Sequence, residues 1–167
     1  MLTRIRTNLN KFLQWTLIVI MVVMVMNVLW QVFTRFVLKR PSSYTEELAR
    51  FLLIWISLLG ACYVCGKNSH LSIDIIKTKL SPQKLLYLEL VKNSLIFTFA
   101  FSVLLIGGIR LIIVNLKLNQ ISAALQMKMG YVYLVIPISG IIIMLYMVID
   151  MMDNISKLKK GKMNGTP

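Results

Sequence analysis

The sequence predicts an all-α integral membrane protein with four transmembrane helices. Its 167 residues are 57% hydrophobic and their mean hydropathy is +0.75, whereas about 45–50% of residues are apolar in an ordinary soluble domain. Four apolar stretches each approach the ~20 residues that span ~30 Å of hydrocarbon. They cover approximately residues 12–33, 48–64, 94–114 and 131–149. A single four-helix domain over residues 1–167 is therefore expected.

The basic residues predict how these helices are oriented. The 19 Lys and Arg residues outnumber the 6 Asp and Glu residues, but they flank the apolar stretches and form no basic soluble face for nucleic acid. Eleven flanking residues are expected on one side of the membrane: Arg4, Arg6, Lys11, Lys67, Lys77, Lys79, Lys84, Lys157, Lys159, Lys160 and Lys162. Four are expected in the connections of the other side: Lys39, Arg40, Lys117 and Lys128. The positive-inside rule therefore places both termini in the cytoplasm.

The first helix, expected over residues 12–38, is interpreted as a retained anchor and not as a cleaved signal peptide. Its apolar run exceeds the 7–15 residues of a signal-peptide core, and no small-x-small cleavage site precedes Gln31. Asn27 and Gln31 are polar residues inside that run. In lipid, such side chains face a neighbouring helix, where they find hydrogen-bond partners.

Charged residues cluster where the first helix joins the second, which is expected over residues 46–66. Gln31 and Arg35 lie one helical turn apart, and Glu46, Glu47 and Arg50 open the second helix at spacings of three and four. In a hairpin, both acids and both arginines meet at one membrane face. They are either interfacial charges satisfied by water or a paired network that fixes the hairpin and presents it to a partner.

The second helix also carries residues of interest for packing and chemistry. Trp55 and Gly60 lie among Leu, Ile and Val, and we expect them to pack this helix against a neighbour. Cys62 and Cys65 form a C-x-x-C pair, so a membrane thiol oxidoreductase is an alternative function. That chemistry needs thiols open to an oxidising compartment. The predicted topology puts the pair near the cytoplasmic end, which favours two buried, apolar side chains.

A short amphipathic segment over residues 69–80 is expected on the cytoplasmic interface, because apolar residues alternate there with Ser, Asp and Lys. His70 and Asp74, four residues apart, either fix this segment or face water. A third helix is expected over residues 83–115, and its Gly107–Gly108 pair marks a site of bending or close packing.

The last part of the chain holds a second outer connection and the fourth helix. Residues 115–130 mix apolar and polar side chains and are expected to lie along the membrane or dock on a partner. The fourth helix is expected over residues 131–152, with a kink at Pro137 and Gly140. The Lys-rich residues 157–167 are expected to form a flexible tail.

The residue inventory argues against an enzyme. The single histidine is His70, which excludes His-based metal clusters and a Ser-His-Asp site built from this chain. There is no Gly-rich phosphate loop, and the acidic residues near the middle of a helix that a proton or cation path needs are missing. An accessory subunit without a cofactor of its own is therefore expected.

Several polar residues recur in an order that resembles a known family. They are Gln31-x-x-x-Arg35, Glu46-Glu47-x-Ala49-Arg50, Trp55, Leu59-Gly60-Ala61 and His70-x-x-x-Asp74. This combination, over about residues 27–76, resembles the small membrane subunit of tripartite ATP-independent periplasmic (TRAP) transporters, with a looser similarity over residues 125–140. The sequence departs from the family at Tyr44–Thr45, where a tryptophan commonly precedes the acidic pair.

The resemblance implies a scaffold subunit in the bacterial inner membrane. Its partners would be a large multi-spanning membrane subunit, which carries the substrate and sodium sites, a periplasmic substrate-binding protein, and membrane lipid. The transported solute would be a small carboxylate, such as a C4-dicarboxylate or a sialic acid. The residues quoted above would then serve as structural or partner-interface residues. A self-assembling small channel or exporter is the remaining alternative.

Overall fold

The computed structural model describes residues 2–39, 42–67 and 82–163, and most of these residues are helical. The elements are α1 (Leu2–Phe36), α2 (Ser43–Lys67), α3 (Pro82–Phe99), a π-helical segment (Ala100–Gly107), α4 (Gly108–Lys117), α5 (Met129–Val132) and α6 (Val135–Met163). The described ranges contain an isolated bridge between Ile121 and Lys128 and no β-strand. The predicted all-α fold is confirmed.

Within the described ranges, four helical segments are long and apolar enough to cross a bilayer, as the sequence predicts. They are Arg4–Phe36, Ser43–Lys67, Tyr87–Lys117 and Met129–Ser156. The third combines α3, the π-helical segment and α4, and the fourth combines α5 and α6. At 1.5 Å per residue, even the 25 residues of Ser43–Lys67 extend roughly 38 Å, which exceeds the ~30 Å hydrocarbon core.

Helix α6 is central in the bundle. It packs against α2, α3 and the π-helical segment, whereas α1 packs mainly on α2. In the most apolar 18-residue stretch of the fourth span, 44% of the residues are buried. In the corresponding stretch of the first span, 0% of the residues are buried. The buried core includes Leu13, Leu59, Cys62, Ala100, Val135 and Tyr146. Most of the apolar surface of α1 is therefore left for lipid or for another protein.

Two glycines let the third and fourth spans approach each other closely. A methyl group at Gly108 would lie 2.9 Å from Cγ2 of Ile136, and one at Gly140 would lie 2.9 Å from Cβ of Leu104. Small residues at such crossings allow helix backbones to pack closely. The close packing expected at Gly107–Gly108 is therefore made by Gly108, immediately after the π-helical segment ends.

The fourth span is interrupted just before Pro137. Residues Tyr133 and Leu134 form a turn between α5 and α6, and the N–H of Ile136 bonds the carbonyl of Tyr133 at 3.0 Å. Pro137 sits in the first turn of α6, where a missing N–H leaves no helical bond broken. The break thus lies at Tyr133–Leu134, slightly before the positions at which the sequence predicts a kink.

The helix boundaries differ from prediction mainly at the ends. Helix α1 begins at Leu2 and not near residue 12, because its polar first turns are held by the contacts described below. Helix α6 continues to Met163, beyond the predicted end at residue 152 and into the segment expected to be a flexible tail. The predicted interfacial segment 69–80, with His70 and Asp74, lies outside the described residues.

Candidate functional site

Polar contacts concentrate at the two ends of the bundle. We call the end where α1 meets α2 the hairpin end; it holds Gln31, Arg35, residues 42–50 and the connection 118–128. We call the opposite end, where α1 begins and α2 and α6 end, the terminal end. The charged residues that the sequence predicts as a site and that the structure describes lie at the hairpin end.

A buried hydrogen bond joins the two helices of the hairpin. The Asn27 side-chain amide donates to the carbonyl of Thr45 at 2.7 Å, and Asn27 and Thr45 are both buried. The Thr45 hydroxyl donates to the carbonyl of Ser42 at 2.9 Å. Since a polar group in an apolar setting needs a partner, these bonds fix the register of α1 against α2. The expectation that Asn27 faces a neighbouring helix is confirmed.

The four charged residues of the hairpin do not form the paired network that the spacing suggests. Arg50 pairs with Glu46 at 2.6 Å, but both lie on α2, four residues apart, with side chains 71% and 57% exposed. Arg35 makes no ion pair with another described residue. The physical reason is geometric: a pair at positions i and i+4 closes within one helix, so it leaves no charge to hold the neighbouring helix.

Arg35 instead borders a small crevice. The crevice has a volume of about 70 Å³ and is lined by Gln31, Arg35, Ser42, Ser43 and Glu46. It is large enough for a few water molecules, given that about 10–15 Å³ holds one. Gln31, Arg35 and Glu46 are thus brought together around a space, without direct contact between the charges.

Glu47 has a different role from the one predicted. One carboxylate oxygen, Oε2, accepts hydrogen bonds from the backbone N–H groups of Ala124 and Leu125, both at 2.9 Å. The Ser122 hydroxyl oxygen also accepts from Leu125 N–H, at 3.2 Å. Glu47 therefore ties α2 to the connection between α4 and α5, and it forms no ion pair with an arginine among the described residues.

This connection is folded compactly. Ser122 N–H donates to the carbonyl of Met127 at 2.8 Å, and Met129 N–H donates to that of Gln120 at 2.9 Å. Asn119 and Gln126 adopt positive φ values of 46° and 53°, which Asn tolerates better than most residues. The segment predicted to lie on the membrane or dock on a partner thus docks, at least in part, on Glu47 of its own chain.

Trp55 and Gly60 on α2 differ in their surroundings. The Trp55 indole N–H donates to the carbonyl of Val132 at 3.1 Å. In a continuous helix the Val132 carbonyl would accept a hydrogen bond from the N–H of Ile136. At the helix break that N–H donates to the carbonyl of Tyr133, so the Val132 carbonyl is available to Trp55. A methyl group at Gly60, in contrast, would have no described neighbouring atom within 4 Å. The close approach expected at Gly60 is therefore not made within the described chain, whereas Trp55 does pack α2 on the fourth span.

The terminal end holds a network that the sequence analysis missed. Arg6 of α1 pairs with Asp150 of α6 at 2.8 Å, and the two side chains are only 22% and 8% exposed. The Arg6 Nε–H also donates to the carbonyl of Gly66 at 2.8 Å. This carbonyl lies in the last turn of α2, where carbonyl groups lack helical partners. One guanidinium thus joins three helices.

Gly66 is closely packed in this network. The Asn10 amide donates to the Gly66 carbonyl at 3.3 Å, and the Tyr146 hydroxyl donates to Oδ1 of Asn10 at 2.5 Å. A methyl group on Gly66 would clash with Oδ1 of Asn10 and would lie 2.7 Å from Cζ of Tyr146. A side chain at this position would therefore have to displace Asn10 or Tyr146.

A small polar cavity adjoins the pair. It has a volume of about 20 Å³ and is lined by Arg6, Glu89, Lys92, Asn93, Asp150, Asp153 and Asn154. This is room for about one water molecule. The sequence signal for the network was an acid, Asp150, at the end of an apolar run, since an ionisable residue within a membrane helix normally has a partner.

The two cysteines are free. Cys62 is fully buried, and its thiol lies 3.5 Å from the carbonyl of Ser139 on α6. Cys65, one turn later, is partly buried. A buried thiol that contacts a neighbouring helix acts as a small core residue, which gives the thiol-exchange alternative no structural support.

The chain can now be compared with known proteins. Residues 24–157 match the family model described as tripartite ATP-independent periplasmic transporters, DctQ component. The chain belongs to this family. The match includes all of α2, α3, α4 and α5, most of α6 and the C-terminal part of α1, so the predicted TRAP small membrane subunit is confirmed. With its four apolar helices, a TRAP small subunit is an integral protein of the inner membrane.

Three relatives illustrate the similarity. A Haemophilus influenzae protein described as a TRAP transporter small permease protein is 26% identical over 154 residues, which cover 92% of this chain and 94% of the relative. The sialic acid TRAP transporter small permease protein SiaQ of Vibrio cholerae is 29% identical over 138 residues, 79% of this chain and 74% of SiaQ. The isethionate TRAP transporter permease protein DctMQ of Oleidesulfovibrio alaskensis is 33% identical over 98 residues.

The DctMQ match covers 59% of this chain but 15% of the relative. A segment similar to this TRAP small subunit is thus one part of a much longer permease polypeptide. TRAP small subunits act together with large permease components, and in DctMQ the similar segment lies within one such permease chain.

Proposed function

We propose that this chain is the accessory small subunit of a sodium-coupled TRAP transporter. In this role it scaffolds a large membrane subunit that carries the substrate and sodium sites, and it helps to receive a periplasmic substrate-binding protein. The observation that carries the proposal is the match over residues 24–157, which begins within α1 and extends into α6. The chain itself catalyses no reaction and needs no cofactor.

The distribution of apolar surface supports a scaffold. The most apolar stretch of α1 has 0% of its residues buried, although Asn27 in the same helix bonds α2. A helix held on one side and apolar on the other can pack on lipid or on a larger membrane protein.

We propose that the solute is a small carboxylate of the C4-dicarboxylate or sialic acid type. The names of two relatives specify sialic acid and isethionate, both organic anions. The selectivity would lie in the other subunits, so the test is uptake by the complete system and not binding to this chain.

The orientation is also part of the proposal. The excess of basic residues at the terminal end predicts that both termini are cytoplasmic, so the hairpin end would face the periplasm and the binding protein. Alkaline phosphatase fused after residue 119 should be active, and the same enzyme fused after residue 163 should be inactive. The reverse pattern would overturn the orientation.

The deciding experiment is affinity purification of the tagged chain from native membranes in mild detergent, with mass spectrometry of the co-purifying proteins. A much larger multi-spanning membrane protein in stoichiometric amount is the expected result. Recovery of the chain alone, together with transport or conductance by that purified chain, would favour a self-assembling channel or exporter instead.

Arg35→Ala sharpens this experiment. Arg35 has no ion-pair partner among the described residues, so we expect it to contact the partner and its loss to lower the yield of complex and the rate of solute uptake. The matched control is Arg50→Ala, which removes an arginine that is already paired within α2. If both variants give the wild-type yield of complex, Arg35 is an interfacial charge that is satisfied by water and does not contact the partner.

A further inference from the structure

One face of the third span carries two cations beside an apolar groove. The groove has a volume of about 480 Å³ and is lined by Ile106, Ile109, Arg110, Ile113, Val114 and Lys117. These residues recur at spacings of three and four, so they share one face of the helix. All six are exposed on the outside of the bundle.

The two cations lack a counter-charge within the described chain. Neither Arg110 nor Lys117 forms an ion pair with another described residue, and none of the residues that line the groove is acidic. A cation in a membrane-spanning helix requires a partner or access to the headgroup region, because its transfer into hydrocarbon is costly. An anion from outside the chain would therefore be stabilised here.

The length of the span places Lys117 at headgroup depth and Arg110 near the edge of the hydrocarbon, from which its long side chain can extend to the headgroups. Tyr87–Lys117 contains 31 residues and extends roughly 46 Å, which is more than the ~30 Å hydrocarbon core and close to the ~40–45 Å of the whole bilayer. Lys117 ends the helix, and Arg110 lies about 10 Å before it along the axis. Ile106 and Ile109 continue from Arg110 towards the hydrocarbon.

We propose that this groove binds an anionic phospholipid. Its phosphate lies on Arg110 and Lys117, and one acyl chain runs along Ile106 and Ile109. A guanidinium group matches phosphate with two parallel hydrogen bonds, and a nearby lysine adds electrostatic attraction. A phospholipid supplies both parts that the groove requires, an anion at headgroup depth and an aliphatic chain below it.

The test measures lipid binding by native mass spectrometry of the chain with its co-purifying membrane partner. The complex is titrated with dioleoyl phosphatidylglycerol or with dioleoyl phosphatidylcholine, which share acyl chains and differ in net charge. One double variant combines Arg110→Gln with Lys117→Gln. It removes both charges and keeps a polar side chain at each position. Each cation near an anionic lipid changes binding about fivefold, so the double variant should bind phosphatidylglycerol roughly 25-fold more weakly.

Two further variants separate the groove from general surface charge. Lys128→Gln removes an exposed cation of the same end outside the groove and should leave phosphatidylglycerol binding unchanged. Ile109→Trp fills the groove without removing a charge and should also weaken binding.

Unchanged phosphatidylglycerol binding in the double Gln variant would overturn the proposal. Equal binding of both lipids by the wild-type complex would do the same. A third contrary result is a lower yield of complex in the double variant with lipid binding retained, because the cations would then pair with a carboxylate of the partner.

Discussion

The two ends of this TRAP small subunit contain the same kind of ion pair in different surroundings. At the terminal end, Arg6 and Asp150 lie on different helices, are 144 residues apart in sequence and are mostly buried. At the hairpin end, Glu46 and Arg50 lie four residues apart and are mostly exposed. An exposed pair contributes little to stability, whereas removal of one partner from a buried pair leaves an uncompensated charge. The two ion pairs have similar N–O distances, but the buried pair is expected to contribute much more to the free energy of unfolding than the exposed pair.

The largest effect is expected for Asp150→Ala. This change leaves the Arg6 guanidinium mostly buried without its carboxylate, and breaking a buried pair costs about 3 kcal/mol or more. The thermal midpoint of the purified complex and the amount of the chain in membranes should both fall. Asp150→Asn, which keeps an acceptor oxygen, should have an intermediate effect. A midpoint like that of the wild type in Asp150→Ala would remove the distinction between the two ends.

Next in size is Gly66→Ala. The added methyl group meets Asn10 and Tyr146, and overpacking of a close contact costs about 1–3 kcal/mol. The control is Gly60→Ala on the same helix, where no described atom lies within 4 Å and the helix gains up to about 1 kcal/mol from the loss of a flexible glycine. Thermal unfolding of the isolated chain in detergent compares the two. If Gly60→Ala lowers complex yield while the chain itself stays stable, Gly60 faces the partner subunit.

Glu47→Ala should act locally. The change removes the acceptor for Ala124 and Leu125 N–H, so hydrogen exchange at these amides and proteolysis of the connection 118–128 should become faster. Solute uptake should fall as well, if the connection receives the binding protein. Glu46→Ala is the matched control and should leave both amides protected. Wild-type exchange at Ala124 and Leu125 in the Glu47 variant would contradict the observed role of this carboxylate.

The smallest effect is expected for Arg50→Ala. An exposed pair at positions i and i+4 contributes about 0.3–0.5 kcal/mol, so the thermal midpoint should hardly move, and 0.5 M salt should abolish the remaining difference. A destabilisation comparable to that of Asp150→Ala would mean that another subunit buries the pair in the assembled transporter.

Hydropathy was sufficient to predict the architecture. The four spans and the all-α fold follow from apolar runs of about 20 residues, because the cost of exposing polar backbone to lipid leaves helices as the simplest solution. The end of α6 was placed too early, at residue 152. The Lys-rich sequence after it contains no Gly or Pro before Gly161, and charged residues there are compatible with a helix that extends past the membrane.

The candidate site was predicted only in part. The position of Glu46, Glu47, Arg35 and Arg50 at one end was correct, but spacing could not identify their partners. Glu47 bonds backbone groups 77 and 78 residues away, and such a contact has no local sequence signal. The Arg6–Asp150 network was overlooked because basic residues near the N-terminus were assigned to topology alone.

The sequence by itself determined the number of spans, their approximate lengths and the family, because each depends on local hydropathy or on the order of residues along the chain. Tertiary structure alone decided which charges are buried and which remain exposed. That choice depends on the rotation and axial shift of each helix, which are set by close contacts such as those of Gly66, Gly108 and Gly140. Successive side chains on a helix point about 100° apart. A change of one residue in how a helix packs can therefore move a side chain from a buried contact to the lipid-facing surface.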